Sequence, residues 1–136
     1  MVCMTSDHVR ARTAALLLFS HGSPDPEWAA PLTRLQDILA AREPGMIVSL
    51  AFLPPAVPTF DDVVTQLAAA GVKHITVAPV FLARGGHVKR DLPEMVLQAK
   101  AAHAIDFEIL PTLGEAEVLL EAMAGWIAQE AAARRR

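Results

Sequence analysis

The stretch Ala14-Ala15-Leu16-Leu17-Leu18-Phe19-Ser20-His21-Gly22-Ser23 decides how this chain folds. Its apolar part shows no alternation, as expected of a strand covered on both faces rather than one. It then stops abruptly at small polar residues and a histidine, where a strand gives way to a loop. Arg10 and Arg12 precede the run and faintly imitate a secretory signal. The run is short and no clean small-residue cleavage site follows, so a buried strand is the better reading. Residues Met1 to Thr13 carry no periodicity and read as a flexible leader.

Working outward, the chain alternates between two kinds of segment. Asp25 to Arg42 places Trp28, Leu32, Leu35, Ile38 and Leu39 on a helical stripe, with Pro31 tolerated near its start. Met46 to Leu53 reads as a second strand, closed by Pro54-Pro55. Thr59 is placed to cap a helix with Asp61 and Asp62 in its first turn, and Gly71 to end it. Lys73 to Leu82 is a third strand, with Pro79 expected near its carboxyl end because proline cannot donate to a ladder. Asp91 to Ala104 reads as a helix with Pro93 near its start, and Ile105 to Pro111 as a fourth strand. Glu115 to Ala133 is a last helix, with Val118, Leu119, Ala122, Met123, Trp126 and Ile127 on its apolar side. Strand and helix alternating in this way predict an α/β fold. We expect a four-stranded parallel sheet in the order 2-1-3-4, helices on both faces, and a single domain over 14–136.

Composition narrows the function classes. With 53% hydrophobic and 20% charged residues, the chain is globular rather than disordered. A formal net charge of −3 gives no basis for nucleic-acid binding, which needs a basic stripe. No apolar stretch approaches the ~20 residues that span a bilayer, so no membrane partner is expected. Cys3 is alone and cannot form an internal disulfide, which favours a cytoplasmic setting.

In such a sheet, ligands bind beyond the carboxyl ends of the strands. His21 follows strand one directly, and His87 lies in the loop Phe81-Leu82-Ala83-Arg84-Gly85-Gly86-His87-Val88 after strand three. Strands one and three are neighbours in the expected order, ~4.8 Å apart, so their loops face one crevice. Imidazole is the commonest ligand of borderline divalent metals. Gly22, Gly85 and Gly86 allow unusual φ and the approach of a broad flat ligand. Arg84, Lys89 and Arg90 form a basic group beside His87, suited to carboxylates. Backbone N–H groups at the following helix starts, the one after Ser23 included, add donors for anions. His8, His74 and His103 have ordinary structural roles. Ser20 and Ser23 flank His21, but no G-x-S-x-G elbow supports a serine hydrolase, and the phosphate-binding glycine motifs are absent.

Three motifs carry a family resemblance. They are Leu-Leu-Phe-Ser-His21-Gly-Ser-x-Asp-Pro, Pro79-Val-Phe-Leu-x-x-Gly-Gly-His87-Val-Lys-x-Asp-Leu-Pro93 and Pro111-Thr-Leu-Gly114. Together they resemble the short CbiX-type sirohydrochlorin chelatases. The resemblance implies a chelatase-type, flavodoxin-like fold, a homodimer, and insertion of a divalent metal into a sirohydrochlorin-type tetrapyrrole in cobalamin- or siroheme-type biosynthesis. It implies that His21 and His87 are the metal-binding and catalytic pair. It further implies substrate binding around Gly22, Ser23, Arg84, Gly85, Gly86, Lys89 and Arg90. Cobalt leads as the metal substrate, with Fe²⁺ or Ni²⁺ next, and no organic cofactor is expected. Relatives usually carry a Glu just after strand two; here the segment is Phe52-Leu53-Pro54-Pro55. An Arg often found after His-Gly-Ser is Pro24 here. A Leu-Gly-x-His-Pro element is Leu113-Gly114-Glu115-Ala116-Glu117, where Glu115 and Glu117 are first-turn acids or substitutes for the histidine. The alternative is a metal or tetrapyrrole carrier of the same fold.

Overall fold

The computed structural model describes residues 13–23, 25–83 and 85–135, with Gly86 and His87 described in their backbone alone. Four strands, β1 (Ala14–Ser20), β2 (Ile47–Phe52), β3 (His74–Pro79) and β4 (Asp106–Ile109), pair in parallel in the order β2-β1-β3-β4. Four helices connect and follow them: α1 (Ala30–Arg42), α2 (Phe60–Ala69), α3 (Gly86–His103) and α4 (Glu117–Arg134). The sheet class and strand order are those expected from the apolar runs. β1 is paired on both edges, and Phe19 lies opposite both Ala51 and Pro79. Pro79 is the last residue of β3, where its missing N–H costs least.

The pleat of β1 explains its unbroken apolar sequence. Ala15, Leu17 and Phe19 point to one face and are fully buried, while Leu18 is buried on the other. On the first face, Phe60, Val63, Val64 and Leu67 of α2 join Val88, Leu92, Val96 and Ala99 of α3 in one core with the strands. Each large apolar side chain there contributes about 1.5–3 kcal/mol by burial. On the second face α1 packs against β2, burying Leu32, and its Gln36 side-chain amide donates to the Val48 carbonyl at 2.7 Å. The α2 ends follow the sequence signals. Thr59 and Asp62 form a reciprocal capping box, and Gly71 adopts a left-handed φ of 87°.

Strands β3 and β4 are shorter than in the sequence reading, with β3 ending at Pro79 and not Leu82 and β4 at Ile109 and not Pro111, and α4 begins at Glu117 and not Glu115. Two further boundaries bear on the site. The segment starting at Asp25 forms a 3₁₀ turn, Pro26–Ala29, before α1 begins at Ala30. More consequentially, α3 begins at Gly86, five residues before the expected Asp91, and carries Pro93 in its interior. Val88, Leu92, Val96 and Ala99, spaced at helical intervals, are all buried. That burial outweighs the cost of Pro93, about 3 kcal/mol. His87, Lys89 and Arg90 therefore stand on the first turns of a helix, not in a loop.

The last helix keeps its apolar stripe outside the core. None of its residues is buried, and Val118, Trp126 and Ile127 are more than half exposed. No described helix is long and apolar enough to cross a membrane.

Candidate active site

Strand pairing delivers His21 to the carboxyl edge of the sheet. β1 ends at Ser20, whose carbonyl accepts from Leu53 N–H at 3.0 Å, while the Phe19 carbonyl accepts from Val80 N–H at 2.8 Å. His21 is the first residue beyond these bonds, and its side chain is exposed. Its ring meets that of Phe81 edge-on, with centroids 4.6 Å apart. Phe81 opens the β3–α3 connection and packs edge-on against Phe19 of the core at 6.0 Å. An aromatic chain thus links the sheet interior to the imidazole and ties the loop of β1 to the connection that leads to His87.

His21, Gly22 and Ser23 line one side of a cavity of about 460 Å³, and Leu53, Pro54, Pro55 and Ala56 line the other. This second wall is apolar and bears no charge, suited to the face of a flat ring. Gly22 is required here for space rather than for a left-handed backbone: a Cβ on it would lie 1.9 Å from the Ala56 Cβ. Gly85, by contrast, has φ −64° and open space around an added Cβ, so the expected need for unusual φ is not met there. Gly22→Ala should therefore destabilise the fold by about 1–3 kcal/mol through overpacking, whereas Gly85→Ala should be near neutral. Urea unfolding of the two variants checks the contrast.

Ser23 and Asp25 serve the local turn. The Ser23 hydroxyl accepts from Asp25 N–H at 3.1 Å, and the Asp25 carboxylate accepts from Glu27 N–H at 2.9 Å. Lys89 lines a second cavity, of about 290 Å³, with Leu82, Ala83, Thr112, Gly114 and Glu115. Glu115 accepts from both the Thr112 N–H, at 2.8 Å, and the Thr112 hydroxyl, at 3.1 Å. Its capping role is thus seen, while Glu117 opens α4. Arg90 is exposed on α3. Arg84 lies outside the described residues, as do Pro24 and the His87 side chain. Among the described residues, no three His, Cys, Asp or Glu side chains cluster as a metal cage.

The CbiX family model matches residues 15–130, which takes in every strand but the first residue of β1 and most of the last helix. The chain belongs to the CbiX family. The sirohydrochlorin cobaltochelatase of Methanosarcina acetivorans is 31% identical over 78 residues, 57% of this CbiX chain and 60% of that protein. That of Methanothermobacter thermautotrophicus is 33% identical over 93 residues, 68% of this chain and 64% of that protein. The chain thus spans less than two thirds of these relatives' own length. Among solved structures, a CbiX protein from Marinobacter aquaeolei VT8 superposes with a TM-score of 0.75 at 26% identity, over 86% of this chain and 96% of that one. The sirohydrochlorin chelatase SirB of Bacillus subtilis subspecies spizizenii, in complex with cobalt, gives 0.72 at 22% identity. Only 50% of that chain is covered, and at this identity the likeness shows the fold alone.

Two parts of the site escaped the sequence reading. The sequence marks Pro54 as the place of the usual acid, but not Leu53–Ala56 as an apolar wall of the cavity, although a proline-rich segment leaving the carboxyl edge is itself a signal. Trp28 was assigned to the helical stripe, yet its indole N–H donates to the His21 carbonyl at 2.9 Å.

Proposed function

We propose that this chain inserts a divalent metal, Co²⁺ in the first instance, into a sirohydrochlorin-type tetrapyrrole. The observation that carries the reading is His21 at the carboxyl edge, held by Phe81 of the connection leading to His87, beside a cavity with an uncharged wall. The names of the cobaltochelatase relatives support the same chemistry. In this reading the metal is a substrate. His21 and His87 donate imidazole nitrogens to it and present it to the macrocycle, and two pyrrole protons leave as one divalent ion enters. The ring lies against Leu53, Pro54, Pro55 and Ala56, with Gly22 and Ser23 beneath its approach. Protein, sirohydrochlorin and Co²⁺ mixed together should change absorbance faster than the uncatalysed mixture. A rate equal to buffer would overturn the proposal.

Arg84, separated from His87 by Gly85 and Gly86, and Lys89 and Arg90, which follow it, supply the charges that hold the substrate's carboxylates. Lys89 and Arg90 stand near the N-terminus of α3, where the helix dipole disfavours cations. A polyanionic ligand relieves that repulsion. Neutralising all three should weaken tetrapyrrole binding by about tenfold or more, at about 1.5–3 kcal/mol per charged hydrogen bond lost, with less effect on Co²⁺ affinity. Equal tetrapyrrole affinity in a spectroscopic titration would return the three to solvent.

The functional unit in this reading is a cytoplasmic homodimer of one domain per chain, residues 14–136. One copy offers few walls for a broad ring, and the α4 side chains Val118, Trp126 and Ile127 stand uncovered. Light scattering at micromolar concentration should give twice the 14.6 kDa chain mass. A monomer would remove the dimer from the account. A second reading, a carrier without catalysis, is favoured by one observation: Pro54, at the place of the usual acid, lines the same cavity as His21.

A further inference from the structure

We infer that Trp28 is a positioning residue for His21, setting the peptide from which the imidazole projects. This rests on the reading of His21 as a metal ligand and deepens it. The strand ladder ends at the Ser20 carbonyl, which Leu53 N–H takes. The next carbonyl, that of His21, is taken by the Trp28 indole N–H at 2.9 Å. The bond joins positions seven apart and fixes the peptide plane between His21 and Gly22; with the preceding peptide held through the Ser20 carbonyl, the direction of the His21 Cα–Cβ bond is set.

The sequence around Trp28 builds this arrangement. The Asp25 carboxylate caps the 3₁₀ turn Pro26–Ala29 through Glu27 N–H, and Pro26 opens the turn with its φ already set. The turn presents the indole back toward the strand end instead of along the α1 stripe. Its ring borders a cavity with Gly22, Ser23 and Ala56, which also line the His21 cavity. Two independent contacts then hold His21: Trp28 on its carbonyl and Phe81 on its ring. A ligand preorganised in this way loses less freedom when metal binds.

The test separates the N–H from the ring. Trp28→benzothienylalanine places sulfur where the indole N–H stands and keeps the shape; Trp28→Phe keeps an aromatic ring without the donor. With Co²⁺ alone as probe, both variants should bind about 2–10-fold more weakly by calorimetry, the loss of one hydrogen bond. The visible absorption of bound Co²⁺ should shift in both while circular dichroism stays native. Unchanged Co²⁺ affinity and spectrum in the benzothienyl variant, with binding lost in His21→Ala, would overturn this inference and leave the metal site standing. Co²⁺ binding unaffected by His21→Ala would overturn both.

Discussion

Pro54→Glu is expected to raise the rate of metal insertion by about 10²–10⁴, the range of a well-placed general base, with tetrapyrrole affinity nearly unchanged. The position is right for such a group. Leu53 N–H bonds the Ser20 carbonyl, so the residue after it leaves the sheet beside the root of His21, and Pro54 lines the same cavity. The segment Phe52 to Pro58 holds no ionisable side chain, so nothing in it accepts a pyrrole proton. The parent protein should accordingly insert metal slowly. Removing proline also frees the backbone, and Pro54→Gln is the control that does so without adding a base. Equal rates for the Glu and Gln variants would defeat the idea. A parent already as fast as acid-bearing relatives would show that water or the histidines take the protons.

His21→Ala and His87→Ala should each abolish specific Co²⁺ binding. A single imidazole chelates little, and loss of a ligand should exceed the about 10–100-fold cost of losing an outer-shell partner. The His21 side chain is exposed and its backbone is held by Trp28 and the end of β1, so its removal should leave the fold intact. Calorimetry with Co²⁺ measures the loss. Parent-like affinity in both single variants would place the metal elsewhere.

The fold was legible because four apolar runs are separated by capped, periodic segments, and pattern and burial agree in β1 and α2. Thr59 and Gly71 act at the ends of α2 as their chemistry requires. What misled at α3 was local: Gly85-Gly86 and Pro93 signal loop and helix start, but the tertiary burial of Val88 and Leu92 carries the helix back to Gly86. In α4 the apolar residues read as a stripe seeking cover, and within the chain Val118, Trp126 and Ile127 stay exposed, because a sequence does not say where cover comes from. His21 was legible from its place after a buried strand. Trp28 was not, because a helical spacing from Leu32 conceals a 3₁₀ turn whose indole faces backward. The separation of Lys89 into its own cavity follows from the early start of α3, which no local signal announced.

The central claim is catalysis, and counting turnovers tests it most directly. With sirohydrochlorin and Co²⁺ in large excess over protein, cobalt-loaded tetrapyrrole should accumulate to many equivalents per chain, faster than in buffer. The double variant His21→Ala, His87→Ala should fall to the buffer rate. Product that stops at one equivalent, or forms no faster than without protein, would contradict the account and leave a carrier.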